Sequence, residues 1–561
     1  MLEKLIDSLI SALQEDIPEI RRENFKFPGN FEDVDISCNI SFVLAKKQGR
    51  DPFEVSAEIS DKIVSKLPDT FLPLVFHKEG KQSPYLNFYL DYSKLFEGIV
   101  RKSGPKTASK TVLVEFSNPN PCKAMHIGNA RTTVLGDSIS EILGFCGRNV
   151  IRANYYNDLG KQFAKVVFAV RKYGVGGEGK FDHILAKIYV RLHEDMKAHP
   201  EWEGEIQALL NRLEANDPAL EEERKFVLEG VVKAFGGTYE RLGIDFDVYF
   251  YESKFREKGK EIAKLLEKKG HAFYSDEGTL VAGLEKSGLP NIVLLRSDGT
   301  GLYITADLAL AIHRFEEFGL DECVWVVGSE QNLYFKQLFK VLELLGCPFA
   351  DRCTHMSYGM VTLEGSKMSS RSGEFILLDE MIDEIIERAK GEVLQRHPDM
   401  PEDEVSALGE KIGVGALKYD LLKVDRFKNV DFNPQKAVQF EGNTGPYIQY
   451  MVVRCRAILR KAGGQKREAA DRNYNPNDHE KALLRKFIEF GAVAERAAGE
   501  LKPSLVCNYA FELATVFSRF YENCKVIGSE EESFRLRLVE KTKEMLETCL
   551  GLLRIEAPEV M

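Results

Sequence analysis

Two short stretches hold residues whose types and spacing suit work on phosphate. The first is Asn118 to Thr133, "NPNPCKAMHIGNARTT", which follows the apolar run "TVLVEF" and leads into "VLGDSISEILGF". A helix N-terminus carries N–H groups without intrahelical partners and a partial positive charge, and both favour a phosphate. His126 stands at that end and can donate to phosphate oxygens. Gly128 has no side chain, so a flat base can approach the backbone there. A capped structural helix with an incidental histidine fits the stretch equally well. The second stretch is "GSKMSSRSG", Gly365 to Gly373, with Lys367 and Arg371 among serines and glycines. A solvated basic loop has this composition, and so does a lid that clamps a triphosphate.

The elements around these stretches follow a strand, loop, helix pattern. "TVLVEF", "NVIRANY", "NIVLLRSDG" and "ECVWVVGS" read as strands, with helical segments between them. That alternation predicts an α/β domain built on a Rossmann-type parallel sheet. In such a sheet, ligands bind beyond the carboxyl ends of the strands, where "TVLVEF" delivers its loop. The domain spans residues 106–378, with a charged helical insertion near 180–275. Residues 379–435 read as a helical connector and 436–561 as an all-α domain. Residues 1–105 mix helix and strand signals and form an α+β domain. Within it "DISCNISFVLAKKQGRDPFEVSAEISDKIVSKL" reads as two helices around a polar break at Pro52, and "SPYLNFYLD" as a strand. The polar run Arg101 to Lys110 is the expected linker.

Length and composition exclude several classes. A chain of 561 residues is too long for one core. A content of 44% hydrophobic and 29% charged residues is that of a soluble globular protein. The ten cysteines are scattered, and none has the C-x2-C spacing of a zinc knuckle, so no zinc is expected. Free cysteines suit a reducing cytoplasm. The N-terminal segment is an amphipathic helix rather than a signal peptide, and no apolar run is long enough to span a membrane. The net charge of −11 argues against broad nucleic-acid binding. Residues 436–561 differ, with 20 Lys and Arg against 18 Asp and Glu, and the basic share lies in Arg454 to Arg472. "GVGGEG" at 174–179 satisfies G-x-G-x-x-G, but it follows a helix instead of a strand and reads as a flexible loop.

"HIGN", followed about 240 residues later by "KMSSR", resembles the HIGH and KMSKS pair of class I aminoacyl-tRNA synthetases. Within that class the chain is similar to arginyl-tRNA synthetases along its whole length. "VEFSNPNPCKAMHIGNART", "NYYNDLGKQF", "YITADLALAIHR", "VVGSEQNLYFKQL", "FEGNTGPYIQYMVVRCRAI" and the ending "GLLRIEAPEVM" resemble that family's blocks in order. Two positions depart from the signatures. Asn129 stands for the second histidine of HIGH, and Arg371 for the second lysine of KMSKS. Family members with the latter departure tend to carry a lysine just upstream of HIGH, and Lys123 occupies that place.

The resemblance implies ATP-dependent activation of L-arginine and its transfer to the 3′ end of tRNA(Arg), by a cytoplasmic monomer. ATP would enter as substrate with Mg2+, without zinc or membrane. Lys123, His126, Asn129, Lys367 and Arg371 would be catalytic. His126, Gly128, Asn129, Lys367, Met368 and Ser369 would hold ATP. A guanidinium wants a carboxylate in bidentate geometry. Tyr303 and Asp307, four residues apart, can share a helix face, with Thr305 as N-cap of a helix beginning near Ala306. A helix-start aspartate favoured by the dipole is the other reading of Asp307. By the resemblance, Glu115 and Asn120 would hold the α-amino end and Gln331 would add a contact. Residues 1–105 would touch the tRNA elbow and 436–561 the anticodon, with Tyr447, Tyr450 and Arg454 against bases; core tyrosines read nearly as well. A non-catalytic tRNA-binding paralogue, or a class I synthetase for another polar amino acid, are the rival readings.

Overall fold

The computed structural model describes residues 2–26, 34–75, 84–100, 110–215, 217–363, 376–463 and 474–561. Lys367, Met368, Ser369 and Arg371 lie outside the described residues, as do nearly all of the expected linker and part of the basic run after Arg454.

The β-branched run after Lys110 forms strand β1 (Lys110–Glu115), and the periodic segment after "HIGN" forms helix α1 (Ile127–Phe145). Then come β2 (Arg148–Tyr156), β3 (Val248–Tyr251), α2 (Tyr303–Phe318), β4 (Glu322–Gly328), α3 (Asn332–Leu345), β5 (Cys353–Tyr358) and α4 (Leu378–Arg396). The five strands form one sheet in the order β5-β4-β1-β2-β3, and every neighbouring pair is parallel. Strand order reverses between β1 and β4, which makes their carboxyl ends the topological switch point.

Alternation along β1 sorts its residues between two layers. Val112, Val114 and Phe116 pack on one face with Val134, Leu135 and Ile139 of α1. Leu113 packs on the other with Leu308 of α2 and Leu338 and Leu342 of α3. Glu115 shares the Leu113 face, so β1 aims a carboxylate under α2. The opposite layer is held close by Gly136, where a Cβ would lie 2.1 Å from the Cβ of Phe116.

Several elements differ from the sequence reading. "NIVLL" forms a strand, Ile292–Leu295, but it belongs to a separate antiparallel three-stranded sheet. Its residues are apolar because they cover α2 and the helix Arg256–Lys268, which a sequence period cannot distinguish from a sheet interior. The helical insertion holds Phe181–Asp195, Trp202–Glu214 and Glu221–Leu242, whereas Val248–Tyr251 returns to the main sheet as its edge. "DISC" supplies the strand Ile36–Cys38, which pairs with Leu86–Leu90 in a four-stranded sheet. The connector contains a short strand, Val430–Phe432, parallel to Val361–Leu363. Helix α2 starts at Tyr303, and the Thr305 hydroxyl donates to the Leu302 carbonyl (2.8 Å) instead of capping. The "GVGGEG" segment follows the helix Lys161–Tyr173 as a loop with Gly174, Gly177 and Gly179 at positive φ.

Four long helices, Gly445–Lys461, Asp478–Glu500, Ser504–Asn523 and Glu532–Leu552, make the C-terminal domain. The N-terminal domain docks on it through Arg485 against Asp35 (2.6 Å) and Phe96 stacked on Phe534 (4.3 Å). Among the described residues, no helix is long and apolar enough to cross a membrane.

Candidate active site

His126 is the N-cap of α1. Its Nδ1 accepts from the Gly128 N–H (3.1 Å), while Asn129 Oδ1 accepts from the His126 N–H (3.0 Å). This reciprocal cap consumes two of the backbone donors that a helix end would otherwise offer to phosphate. An accepting Nδ1 places the ring proton on Nε2. Burial, and then the nearby Lys123 charge, push the His126 pKa down, so the ring is neutral at pH 7. A Cβ on Gly128 would lie 2.8 Å from the His126 ring, so this glycine makes room for the cap. Lys123 is exposed, in a turn closed by its N–H on the Asn120 carbonyl (3.0 Å). After the second signature, Leu377 forms an antiparallel bridge to His126, and the Leu378 N–H donates to the Met125 carbonyl (2.9 Å). The described chain just past the second signature therefore meets the start of α1.

A cavity of about 380 Å³ opens at the switch point, between the ends of β1 and β4 and under α2 and α3. Glu115, Asn120, Asn129, Asp307 and Gln331 all line it, although they are scattered over more than 200 positions of the chain. Asn120 Nδ2 donates to Gln162 (2.9 Å) and its Oδ1 accepts from the Cys122 N–H (2.9 Å). Gln331 is exposed at its mouth. Asp307 accepts from the Tyr334 hydroxyl, and burial pushes its carboxyl up to about 6 against the lowering effect of that bond. Tyr303 is 57% exposed and does not line the cavity. As the first residue of α2 it projects to the surface, and the phenol beside Asp307 comes from α3 instead.

Further polar residues line the cavity wall. Arg314, seven positions after Asp307 and so two turns along α2, ion-pairs Glu115. Its guanidinium also lies 4.8 Å from the Phe250 ring and 5.4 Å from Trp325. Asn118 Nδ2 donates to the other Glu115 oxygen (2.9 Å), and Asn118 Oδ1 accepts from the Tyr155 N–H (3.0 Å). Ser117 and Asn118 both have positive φ (72° and 45°), a costly turn for residues with a Cβ that these bonds hold in place. The i, i+7 spacing of Asp307 and Arg314 was the available sequence signal for Arg314. Tyr334 and Asn118 carried none.

One other polar cluster could ligate a cation. Asp182, His183 and Asp379 bring their ligand atoms within 4.8 Å of one another. The Lys180 ammonium already stands there, 2.8 Å from Asp379 and 3.7 Å from Asp182, and Arg241 also pairs with Asp379 (3.3 Å). The cluster is a buried ion-pair network joining the insertion to the start of α4.

In the C-terminal domain the Arg454 guanidinium sits over the rings of Tyr450 (5.2 Å) and Tyr521 (4.9 Å). They border a cavity of about 600 Å³ that Lys461, Lys525 and Met561 also line. Tyr447 is turned to Phe511, with ring centroids 5.8 Å apart, and does not line it.

Comparison with known proteins covers the whole chain. Residues 96–434 match the family "tRNA synthetases class I (R), catalytic domain", residues 448–561 the DALR anticodon binding domain, and residues 1–90 the arginyl tRNA synthetase N terminal domain. The chain is 33% identical over 573 residues to the arginine–tRNA ligase of Clostridioides difficile (strain 630), covering 99% of each. It is 35% identical over 571 residues to that of Streptococcus pneumoniae (strain JJA), covering 99% of this chain and 98% of the relative. The solved arginyl-tRNA synthetase of Thermus thermophilus superposes with a TM-score of 0.85 at 30% identity, over 100% of both chains. The chain thus belongs to the class I arginyl-tRNA synthetases, enzymes that activate arginine with ATP and charge tRNA with it.

Proposed function

We propose that the cavity at the β1/β4 switch point is the arginine pocket and that the start of α1 is the ATP site beside it. The observation that carries this reading is Asp307, a carboxylate on the cavity wall that the single bond from Tyr334 leaves with a lone pair on each oxygen for a ligand. The substrate's guanidinium docks there in bidentate fashion, with Gln331 at the mouth. Glu115 and Asn120 receive the α-ammonium at the β1 end, which turns the substrate carboxylate toward α1.

Activation joins an arginine carboxylate oxygen to the α-phosphorus of ATP and breaks the bond to the β-phosphate, releasing pyrophosphate. Charge builds on phosphate oxygens, so positioning and donated hydrogen bonds are what the protein supplies. His126 donates from Nε2, Asn129 from the amide that its cap does not use, and Lys123 as a cation. Gly128 keeps the backbone open to the base. Lys367, Met368, Ser369 and Arg371 of the second signature are the further ATP contacts. The ribose hydroxyl of the tRNA end then attacks the adenylate carbonyl, and AMP leaves.

Mg2+ arrives with ATP and is held chiefly by its phosphates; the one carboxylate–histidine cluster among the described residues is already balanced by Lys180. No zinc is invoked, because the cysteines are scattered singly. The chain works as a cytoplasmic monomer, divided at 105, 378 and 435. Its residues 1–105 lie on the tRNA elbow, and 436–561 hold the anticodon, with bases entering at Tyr450 and Arg454. Tyr447, packed on Phe511, lies outside that cavity.

The test is ATP–pyrophosphate exchange over a panel of amino acids, with and without tRNA(Arg). Exchange with arginine alone, dependent on tRNA, is expected. Exchange with another polar amino acid, or none at all, would overturn the reading.

A further inference from the structure

Three carboxylates line the arginine pocket, Glu115 and Asp307 in its wall and Glu330 exposed beside Gln331 at the mouth, and the substrate has two cationic ends. Nothing in composition prevents arginine from binding backwards, with its guanidinium on Glu115 and its ammonium on Asp307. The two acids differ in what already touches them. Asp307 has one oxygen bonded by Tyr334. Glu115 has both oxygens engaged, Oε2 by Arg314 and Oε1 by Asn118. The Tyr334 hydroxyl is neutral and leaves the Asp307 charge and a lone pair on each oxygen for a guanidinium fork, whereas the Arg314 guanidinium already answers the Glu115 charge and leaves room there only for a compact ammonium on a single remaining lone pair.

We propose that Arg314 sets the direction in which arginine lies: by holding Glu115 it blocks the bidentate site at the wrong end of the pocket and leaves Asp307, of the two wall carboxylates, to take the guanidinium. Arg314 suits that task. It is 1% exposed and fixed between Phe250 and Trp325, so it cannot swing aside for the substrate. It shares α2 with Asp307 at a spacing of two turns, so one rigid element carries both the blocker and the receptor. Asn118 completes the block from the strained turn after β1. Arg314 is a positioning residue: it acts on the substrate through Glu115. The inference rests on Asp307 and Glu115 being the two ends of the pocket, and Asp307→Asn examines that separately.

The experiment pairs calorimetric arginine binding with tRNA-dependent exchange in Arg314→Met and in Glu115→Gln/Arg314→Met. In Arg314→Met, Glu115 is free to take a guanidinium and arginine binds unproductively. Unproductive binding lowers kcat while sparing affinity, so turnover should fall about a hundredfold and the binding constant change by less than about tenfold. The double variant removes the competing carboxylate and should recover about tenfold of that turnover, although it has lost a second pocket charge. Proportional loss of binding and turnover, or a double variant no faster than Arg314→Met, would overturn the inference. Should the single variant fail to fold, the double variant is compared with Glu115→Gln alone. With Glu115 neutral, Arg314 has nothing left to block, so the double must be no worse; a further large loss would refute the role.

Discussion

Asp307→Asn separates a substrate-binding carboxylate from a structural one by the sign of its effect on stability. Burial raises the Asp307 carboxyl from 3.8 to about 6 in the free protein. A carboxyl with a raised folded-state pKa stabilises nothing when ionised. Its cost is absent below the unfolded pKa, grows as pH rises between about 4 and 6, and is complete above that. Two units correspond to a ceiling of about 3 kcal/mol at pH 7.5. Asparagine keeps the shape and the bond from Tyr334 without the charge, so the variant should melt at or above the wild-type temperature at pH 7.5 and level with it near pH 4. Arginine binding should move the other way. Leaving a partly desolvated guanidinium without its carboxylate costs about 3–5 kcal/mol, which is two to four decades in affinity. A helix-start aspartate that only favours the dipole predicts a loss of about 0.3–1 kcal/mol of stability and normal kinetics. Thermal melts at both pH values and the arginine KM decide between them. A lowered melting temperature with an unchanged KM would show that the pocket is elsewhere.

Three more outcomes follow. In the proposed pocket arginine binds the ionised form of Asp307, so kcat/KM for arginine should fall as pH drops below about 6, and Tyr334→Phe, by removing a hydrogen bond that favours the charge, should move that limb to higher pH; an unmoved limb assigns it to another group. His126→Ala should lower kcat while the ATP KM changes little, because its Nε2 donor acts on charge that develops in the transition state; a raised KM with normal kcat would make it a ground-state contact. Lys123→Ala should lower turnover by about one to three orders of magnitude, the usual size for losing a transition-state donor; unchanged turnover would remove Lys123 from the mechanism.

How far the sequence disclosed this site can be judged residue by residue. The run before Phe116 and the periodic segment after His126 were readable as strand and helix because both carry their own period. The arrival of a loop at a strand's carboxyl end was readable from the alternation of elements. Asp307 is legible as the proposed guanidinium partner only through the resemblance to arginyl-tRNA synthetases; alone it reads equally as a helix-start acid. The i, i+4 spacing puts Tyr303 on the helix face of Asp307, yet which residues of a helix end face a cavity is decided by what packs over them. Here α3 covers Asp307 and supplies Tyr334, leaving Tyr303 at the surface. Arg314 reads in "AIHRFEEFG" as an ordinary charged helix residue, and its burial follows from Glu115, 199 positions earlier. "NIVLL" shows the same limit: an apolar run states that a segment is buried without saying in which sheet.

The most direct measurement is a crystal structure of the chain with arginine or a non-hydrolysable arginyl-adenylate. The account predicts the guanidinium in a two-bond fork on Asp307, the α-ammonium on one oxygen of Glu115 with Arg314 still in place, and the substrate carboxylate or its adenylate pointing to His126. A guanidinium lodged on Glu115, or a substrate bound away from the β1/β4 switch point, would contradict it.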